Sequence, residues 1–500
     1  MNNLGISLAD YGSAANDDNA LFGNANTTQE ELTELSKALE AGSLQGGATA
    51  NQGNGYSGAP LKVESLENTL KVLTFKESDI QFWKRVPKLA AYNTVEEFNQ
   101  LNSYGSEGGV FNNEGELPRE EDTLYSRKAE IVKFLGVTKS VSHPMQLVKT
   151  NIGNAIQAEI KSGTLFLLRK ADRALAFADS AIIPQEFNGY FAQQKASFTT
   201  LQSYFDSEVV IDLRGKALKE ENIENGALAI ISNFGQPNLL MAPPIVLSDF
   251  VKNFYRNKFI QPNTSALTEG VMGQKVQSFQ SQYGDIELGY DIFLNAATPR
   301  KTTDSATNPQ APGVVTSPSV ASPVDASSKF NSAAEAGDFF YAIAAVNRFG
   351  ESVLTPISGS LVTVASGDAV DLTFTPAGGA YPATGFIVYR SVKNPTGTLA
   401  ETPLYPLFSV SAAQQATGFD GGAAGVVRDR NRFLPATQQA FMLQSDEEVY
   451  SFKQLAPLMK MDLATLSPST RFMILMYGTP MLYAPKKMVR YINIGRDLTA

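Results

Sequence analysis

The chain has 500 residues, of which 43% are apolar and 18% charged, below the roughly 25% charged of an average domain. It contains no cysteine, one histidine (His143) and a formal net charge of −9. These counts exclude disulfides, thiolate metal sites, iron–sulfur clusters, cysteine nucleophiles and multi-histidine metal centres. They also argue against a general nucleic-acid coat, which needs many unpaired cations.

Length alone suggests about three domains. The first cation is Lys37, so a signal peptide with a positive n-region is not expected. The most membrane-like stretch, Phe472 to Tyr483, is too short to span and carries Gly478 and Pro480. The reading is a soluble protein folded in a cytoplasm.

Residues 1–60 hold one basic and seven acidic residues, a net charge of 1 − 7 = −6. Within them TTQEELTELSKALEA (27–41) reads as a helix. Thr27 or Thr28 can cap it, Leu32, Leu35 and Leu39 form one stripe, and Gly42 ends it. The following Gly-, Asn- and Ser-rich run can bury little. This segment reads either as a loose tail or as a removable acidic leader (1–45) with a cleavable linker. Residues 60–86 are amphipathic and include Trp83, the only tryptophan, read as a core anchor.

From Tyr92 to Ser140 two extended runs, 94–111 and 124–139, flank the polar tip NNEGELPREED. A long two-stranded arm is marginal alone, so it should lie on its own body or on a neighbour. The tip acids Glu114, Glu116, Glu120, Glu121 and Asp122 lack apolar walls to tune them, so they read as solvated rather than catalytic. With Arg119 they are candidate interface groups. Next, Ile152, Ile156, Ile160, Leu167, Ala171 and Leu175 recur at helical spacing between Pro144 and Pro184. If continuous, that helix is about 35 residues and about 50 Å long. His143 has no serine or cysteine elbow near it to make a triad.

Residues 218–232 read as a helix, 238–242 as a short buried strand, and Pro244 opens another helix: a small α/β layer. Neither GxGxxG nor GxxxxGK[ST] is present, so nucleotide binding has no support. Residues 302–440 carry 11 of the 25 prolines, with a linker-like entry and short alternating strands near 339–347, 361–365, 370–375, 385–390 and 405–410. FFYAIAAVNRFGES and ATGFIVYRS resemble paired strands of fibronectin type III or immunoglobulin-like domains. At the exit Arg428, Arg430 and Arg432 alternate, either as a solvated edge or as contacts to an acidic neighbour. The chain then regains its earlier character, so the sandwich reads as an insertion.

The layout, together with FKQLAPLMKMDLATLSPSTRFMILMYGTPMLYAPKKMVRYI near the end and VYRS ahead of it, resembles the major capsid proteins of tailed bacteriophages with the Hong Kong 97-type fold. The form it resembles is that of contractile-tailed phages with an immunoglobulin-like insertion, over roughly residues 60–500. The resemblance implies an α+β chain. Residues 46–91 would be an N-terminal arm and 92–140 an E-loop. The peripheral domain would take 141–217, with a spine helix near 146–181, and return strands 470–500. The axial domain would take 218–301 and 441–469, interrupted by the sandwich at 302–440.

Also implied are hexamers and pentamers of an icosahedral head enclosing double-stranded DNA without sequence-specific binding, in a virion assembled in the bacterial cytoplasm. Portal, scaffolding, prohead protease and decoration proteins would be partners, with a protease cut somewhere in 41–47. No cofactor, metal, membrane contact or catalysis is expected. Interface candidates are Glu114, Glu116, Arg119, Glu120, Arg428, Arg430 and Arg432, with Trp83 as the core anchor. Two other readings stay open: another virion component or adhesin with the same sandwich, and a carbohydrate-active enzyme with an accessory β-module.

Overall fold

The structure is a computed structural model that describes residues 74–105, 110–148, 154–257, 276–332, 334–464 and 467–496. The acidic leader, its 27–41 helix, the linker and residues 60–73 of the amphipathic run lie outside the described residues. Every element below belongs to one compact unit.

Two sheets build the body. The first has six strands in the order Val210–Asp212, Met488–Ile494, Gln438–Leu443, Leu239–Ala242, Gly284–Tyr290 and Ser278–Ser281. Period-two alternation gives its central strands two apolar faces. Leu240, Ala242, Ala440 and Met442 face one cluster with Ile223, Ala227 and Ile230 of helix Glu220–Ser232 and Val246 and Phe250 of helix Pro244–Asn257. Leu239, Met241, Phe441 and Leu443 face another with Leu167, Ala171 and Leu175 of helix Ala155–Phe177. Strand Gln438–Leu443 belongs to this sheet, so the body resumes ahead of residue 440, where the insertion was expected to end.

Close packing on the first face has a testable consequence. A Cβ added at Gly226 would run into the Tyr491 hydroxyl and Met442 Cε. Alanine improves helix propensity by about 1 kcal/mol, but overpacking a rigid core costs about 1–3 kcal/mol. Gly226→Ala is therefore expected to lower the stability of the chain by a net of about 1 kcal/mol in denaturant unfolding. An unchanged or raised midpoint would show that this face is loosely packed.

The second sheet orders Lys88–Ala90, Tyr450–Asp462, Ser469–Leu482 and Lys133–Ser142. The membrane-like stretch is part of its longest strand, and no helix among the described residues is long and apolar enough to cross a membrane.

Two sequence expectations change here. The run 124–139 is not one strand. It breaks at the buried Val132, whose N–H donates to Thr94 O. Leu124–Ile131 pairs with Val95–Ser103 in a two-stranded ribbon, whereas Lys133–Ser142 joins the second sheet. Nor does one helix run from Pro144 to Pro184. A short helix, His143–Leu147, precedes Ala155–Phe177, whose 23 residues make about 35 Å. The Asn154 side chain caps the start by accepting from Ile156 N–H. At the other end Ala178 leaves the helical conformation and its carbonyl accepts from Gly189 N–H.

Residues 316–429 form a separate antiparallel layer pair. One sheet centres on Tyr341–Asn347, Gly385–Arg390 and Tyr405–Ser411, the other on Thr316–Ala321, Val370–Thr375 and Val426–Asp429. Phe330, Ile343, Leu372, Phe374, Phe386, Val388 and Val427 fill the space between them.

Candidate assembly surfaces

The ribbon has two unlike faces. In register, Phe98, Gln100 and Glu130 point to the body. The Phe98 ring meets Tyr483 edge-on at 4.9 Å, Gln100 Nε2 donates to Tyr483 O at 2.6 Å, and Asn188 Nδ2 donates to Glu130 at 3.0 Å. The opposite face carries the exposed Val95, Ile131, Leu101 and Tyr125, around an Arg127–Glu97 ion pair of 3.3 Å. At the tip Phe111 is fully exposed, and Val110 and Leu117 nearly so. Several exposed large apolar side chains gathered on one face in this way make it a candidate interaction site.

The acidic tip residues Glu114, Glu116 and Glu120 are exposed. Glu116 accepts from the Asn113 backbone and side chain at 3.1 and 3.0 Å, and Arg119 pairs with Glu121 at 3.3 Å. His143 is exposed at the start of its short helix and its N–H donates to Pro468 O. Trp83 is buried, with its ring edge-on to Phe452 at 4.8 Å and Lys88 Nζ over it at 5.0 Å.

Arg428, Arg430 and Arg432 form no solvated edge, and only Arg428 lies in a strand. Three aspartates of the same chain interleave with them. Arg428 takes Asp371 through both forks at 2.6 and 2.9 Å and reaches Asp325 at 3.1 Å. Arg430 joins Asp325 at 2.9 Å to Asp420 at 3.0 Å, and Arg432 holds Asp420 at 2.6 and 2.9 Å. Burial alone would push Asp325 up, but the Ser327 N–H and the two guanidiniums outweigh it and hold this carboxyl below its usual range. Largely buried charges need such matching, so the acidic neighbour expected for these arginines is supplied from within.

The same region fastens insert to body. Arg214 donates to Glu335 Oε1 at 2.7 Å, Asn431 O at 2.7 Å and Lys329 O at 3.2 Å. Arg432 donates to Gln202 at 2.7 Å and lies over the Phe205 ring. Inside the insert Arg390 is fully buried. It donates to Asp429 at 2.8 Å, Asn431 Oδ1 at 2.7 Å and Phe433 O at 3.0 Å, between the Phe330 and Phe339 rings. Sequence reasoning passed over Arg390, although period two places it on the inward face with Phe386 and Val388.

A second buried pair was also missed. Asp172, on the long helix, accepts from Trp83 N–H at 2.5 Å. Asp291 accepts from Phe82 N–H at 3.2 Å and Phe293 N–H at 2.8 Å. Burial, then the hydrogen bond and charge of Asp291, push the Asp172 carboxyl up to about 9, against the lowering effect of the Trp83 N–H. Burial beside Asp291 thus favours the neutral form of the Asp172 acid. Among the described residues no group of His, Cys, Asp and Glu is arranged to hold a metal ion.

No protein-family model matches the chain. Curated relatives do. The major capsid proteins of Staphylococcus phages S25-3 and K are each 25% identical over 442 residues, 87% of this chain and 90% of theirs. The putative major capsid protein of Enterococcus phage phiEF24C is 22% identical over 471 residues, 93% of this chain and 97% of its own. The chain is a homologue of phage major capsid proteins. Among solved structures, the capsid of an empty GTA particle has a TM-score of 0.45 at 7% identity, covering 90% of this chain and 99% of that one. Mycobacterium phage Bobi gives 0.41 at 9%, covering 89% and 99%. For this capsid-protein homologue neither the adhesin nor the carbohydrate-enzyme reading is favoured.

Proposed function

We propose that this chain is the shell-building subunit of a tailed-phage head. Subunits would assemble as hexamers and pentamers into an icosahedral capsid around double-stranded DNA, in the Hong Kong 97-type fold with an immunoglobulin-like insert. The similarity to phage major capsid proteins over 87% and 93% of the chain carries the reading. The ribbon supports it, because a structural arm with one unpartnered apolar face suits clasping a neighbour better than catalysis.

In this reading the ribbon and its tip are the E-loop, with Glu114, Glu116, Arg119 and Glu120 at an intersubunit contact. Helix Ala155–Phe177 is the spine of the peripheral domain, and the six-stranded sheet is the axial domain. That sheet takes Met488–Ile494 from the return strands expected over 470–500, while Tyr450–Asp462, expected in the axial part, belongs to the other sheet. Energy comes from many modest interfaces. The acidic leader is removed by a prohead protease, taking the charge from −9 to −9 + 6 = −3 and reducing repulsion around packaged DNA. Portal, scaffolding and decoration proteins complete a virion assembled in the bacterial cytoplasm. The chain performs no catalysis and takes no cofactor.

Particle size tests this. Full-length protein and a version starting at Gly46 are expected to give uniform shells or six-fold capsomers by light scattering and negative-stain microscopy. Monomers from both, persisting on co-expression with the phage's own scaffolding and portal proteins, would overturn it.

A further inference from the structure

We propose that the cleft between body and insert is a binding site for a small aromatic carboxylate. The site belongs to a single subunit and does not depend on the shell-building reading.

The cleft has a volume of about 330 Å³, within the range of small-molecule pockets. The body supplies one wall from helices Ala155–Phe177 and Tyr190–Ala196, and the insert the other from strands Gly385–Arg390 and Tyr405–Ser411. Period two turns Phe386 and Val388 into the insert core and Ile387 to the cleft, with Ser409 paired opposite it. The walls are already fastened to each other. Gly385 packs so close to the body that a Cβ there would lie 2.6 Å from Ile182 Cγ2. Arg432 reaches from the insert exit to Gln202 at 2.7 Å. The cleft is therefore preformed, as small-molecule sites usually are.

Three ring pairs line it. Phe177 meets Phe191 edge-on at 5.3 Å, Phe205 meets Phe433 edge-on at 5.4 Å, and Phe408 stacks on Phe419 at 5.3 Å. Phe191 is buried, and the other five are half-buried and keep ring surface for a guest. Such rings favour a planar aromatic guest over an alkyl chain.

The polar end is Arg490, 9% exposed, with its guanidinium over the Phe191 ring at 4.2 Å and the Phe433 ring at 5.8 Å. Among the described residues its acceptors are neutral: Gln439 Oε1 at 2.6 and 3.2 Å and the Tyr204 hydroxyl at 3.4 Å. A guanidinium carries five N–H donors, so capacity remains for a further acceptor. A cation this buried is strained without an anion, and a carboxylate matches its fork. The other charges in the walls are committed. Lys195 pairs with Asp179 at 3.0 Å, and Glu351 accepts from Arg300 at 2.9 Å and Tyr389 at 2.7 Å. Arg173 donates to Phe293 O at 3.4 Å and Asn295 O at 3.2 Å. The lining charges sum to 3 − 2 = +1. The larger cleft under the ribbon lacks this bias: it sets Lys128, Lys486 and Lys487 against Asp446, Glu447 and Glu448.

The test is calorimetric titration of the full-length subunit with 2-naphthoate. One saturable site is expected at sub-millimolar concentration. 2-Naphthamide, of the same shape without the charge, should bind about tenfold more weakly. Octanoate, with the charge but no ring, should also bind about tenfold more weakly. Ser409→Trp, at an exposed position in the insert wall, should abolish binding and leave the melting of the ligand-free subunit unchanged. Arg490→Gln should bring the affinity for naphthoate down to that for naphthamide. No saturable binding to wild type would overturn the site, as would undiminished binding to Ser409→Trp. Naphthamide or octanoate binding as tightly as naphthoate would overturn the ligand class. None of these results bears on particle assembly, which tests the shell-building reading separately.

Discussion

Asp172→Asn is expected to remove most of an alkaline loss of stability from the wild-type subunit. The wild-type acid is neutral when folded, with its pKa raised to about 9, whereas an unfolded aspartate ionises near 3.9. Between those values the folded chain binds one more proton than the unfolded chain. Stability is therefore fully present below about pH 4, falls as pH rises, and is lost above about pH 9. The slope cannot exceed about 1.4 kcal/mol per pH unit for one proton. A loss of about 3 kcal/mol or more between pH 5 and 9 is the expected scale.

Asparagine keeps an oxygen for the Trp83 N–H and an N–H for Asp291, but it has no proton to lose. Its guanidinium-unfolding midpoint should stay nearly constant across this window and exceed the wild-type value at pH 9. Asp172→Ala should lower stability at every pH by about 1–3 kcal/mol, because it orphans the buried Trp83 N–H. Parallel pH profiles of wild type and Asp172→Asn would show that the folded carboxyl is not raised.

The second large effect lies in the insert. Arg390→Met leaves Asp429 buried without its cation, expected to cost about 3–5 kcal/mol. The double change Arg390→Met, Asp429→Leu should recover at least about 2 kcal/mol of that, despite losing the Asn431 N–H acceptor. Urea unfolding followed by circular dichroism would measure both. Trp83, the only tryptophan, sits in the body, so its fluorescence reports the body while the insert loosens. A double variant no more stable than the single would mean that Arg390 acts by packing alone.

Local pattern already contained much of this architecture. The helices at 220–232 and 244–257, the buried strand 239–242 and the main insert strands follow from period and from Gly and Pro punctuation. So does the ribbon, whose two runs are extended and divided by a polar tip. The break at Val132 was not legible, because alternation continues through it and only the partner strand differs. The long helix was overestimated for a similar reason: helical spacing of apolar residues does not record where the chain turns aside.

By itself, the sequence excluded thiol and multi-histidine chemistry, placed a β-rich insertion inside an α/β body, and carried the capsid-protein resemblance. Composition and periodicity suffice for these, because they depend on residue type and near neighbours. Only the tertiary structure decided what the charges do. Arg428, Arg430 and Arg432 looked like an outward stripe, but they are held by aspartates 57, 103 and 105, and 10 and 12 residues away in sequence. The Asp172 carboxyl is pushed up by burial and by Asp291, across two elements that no local window joins. Whether a charge is solvated, paired or neutralised depends on the dielectric and partners around it, and those exist only once distant segments have packed.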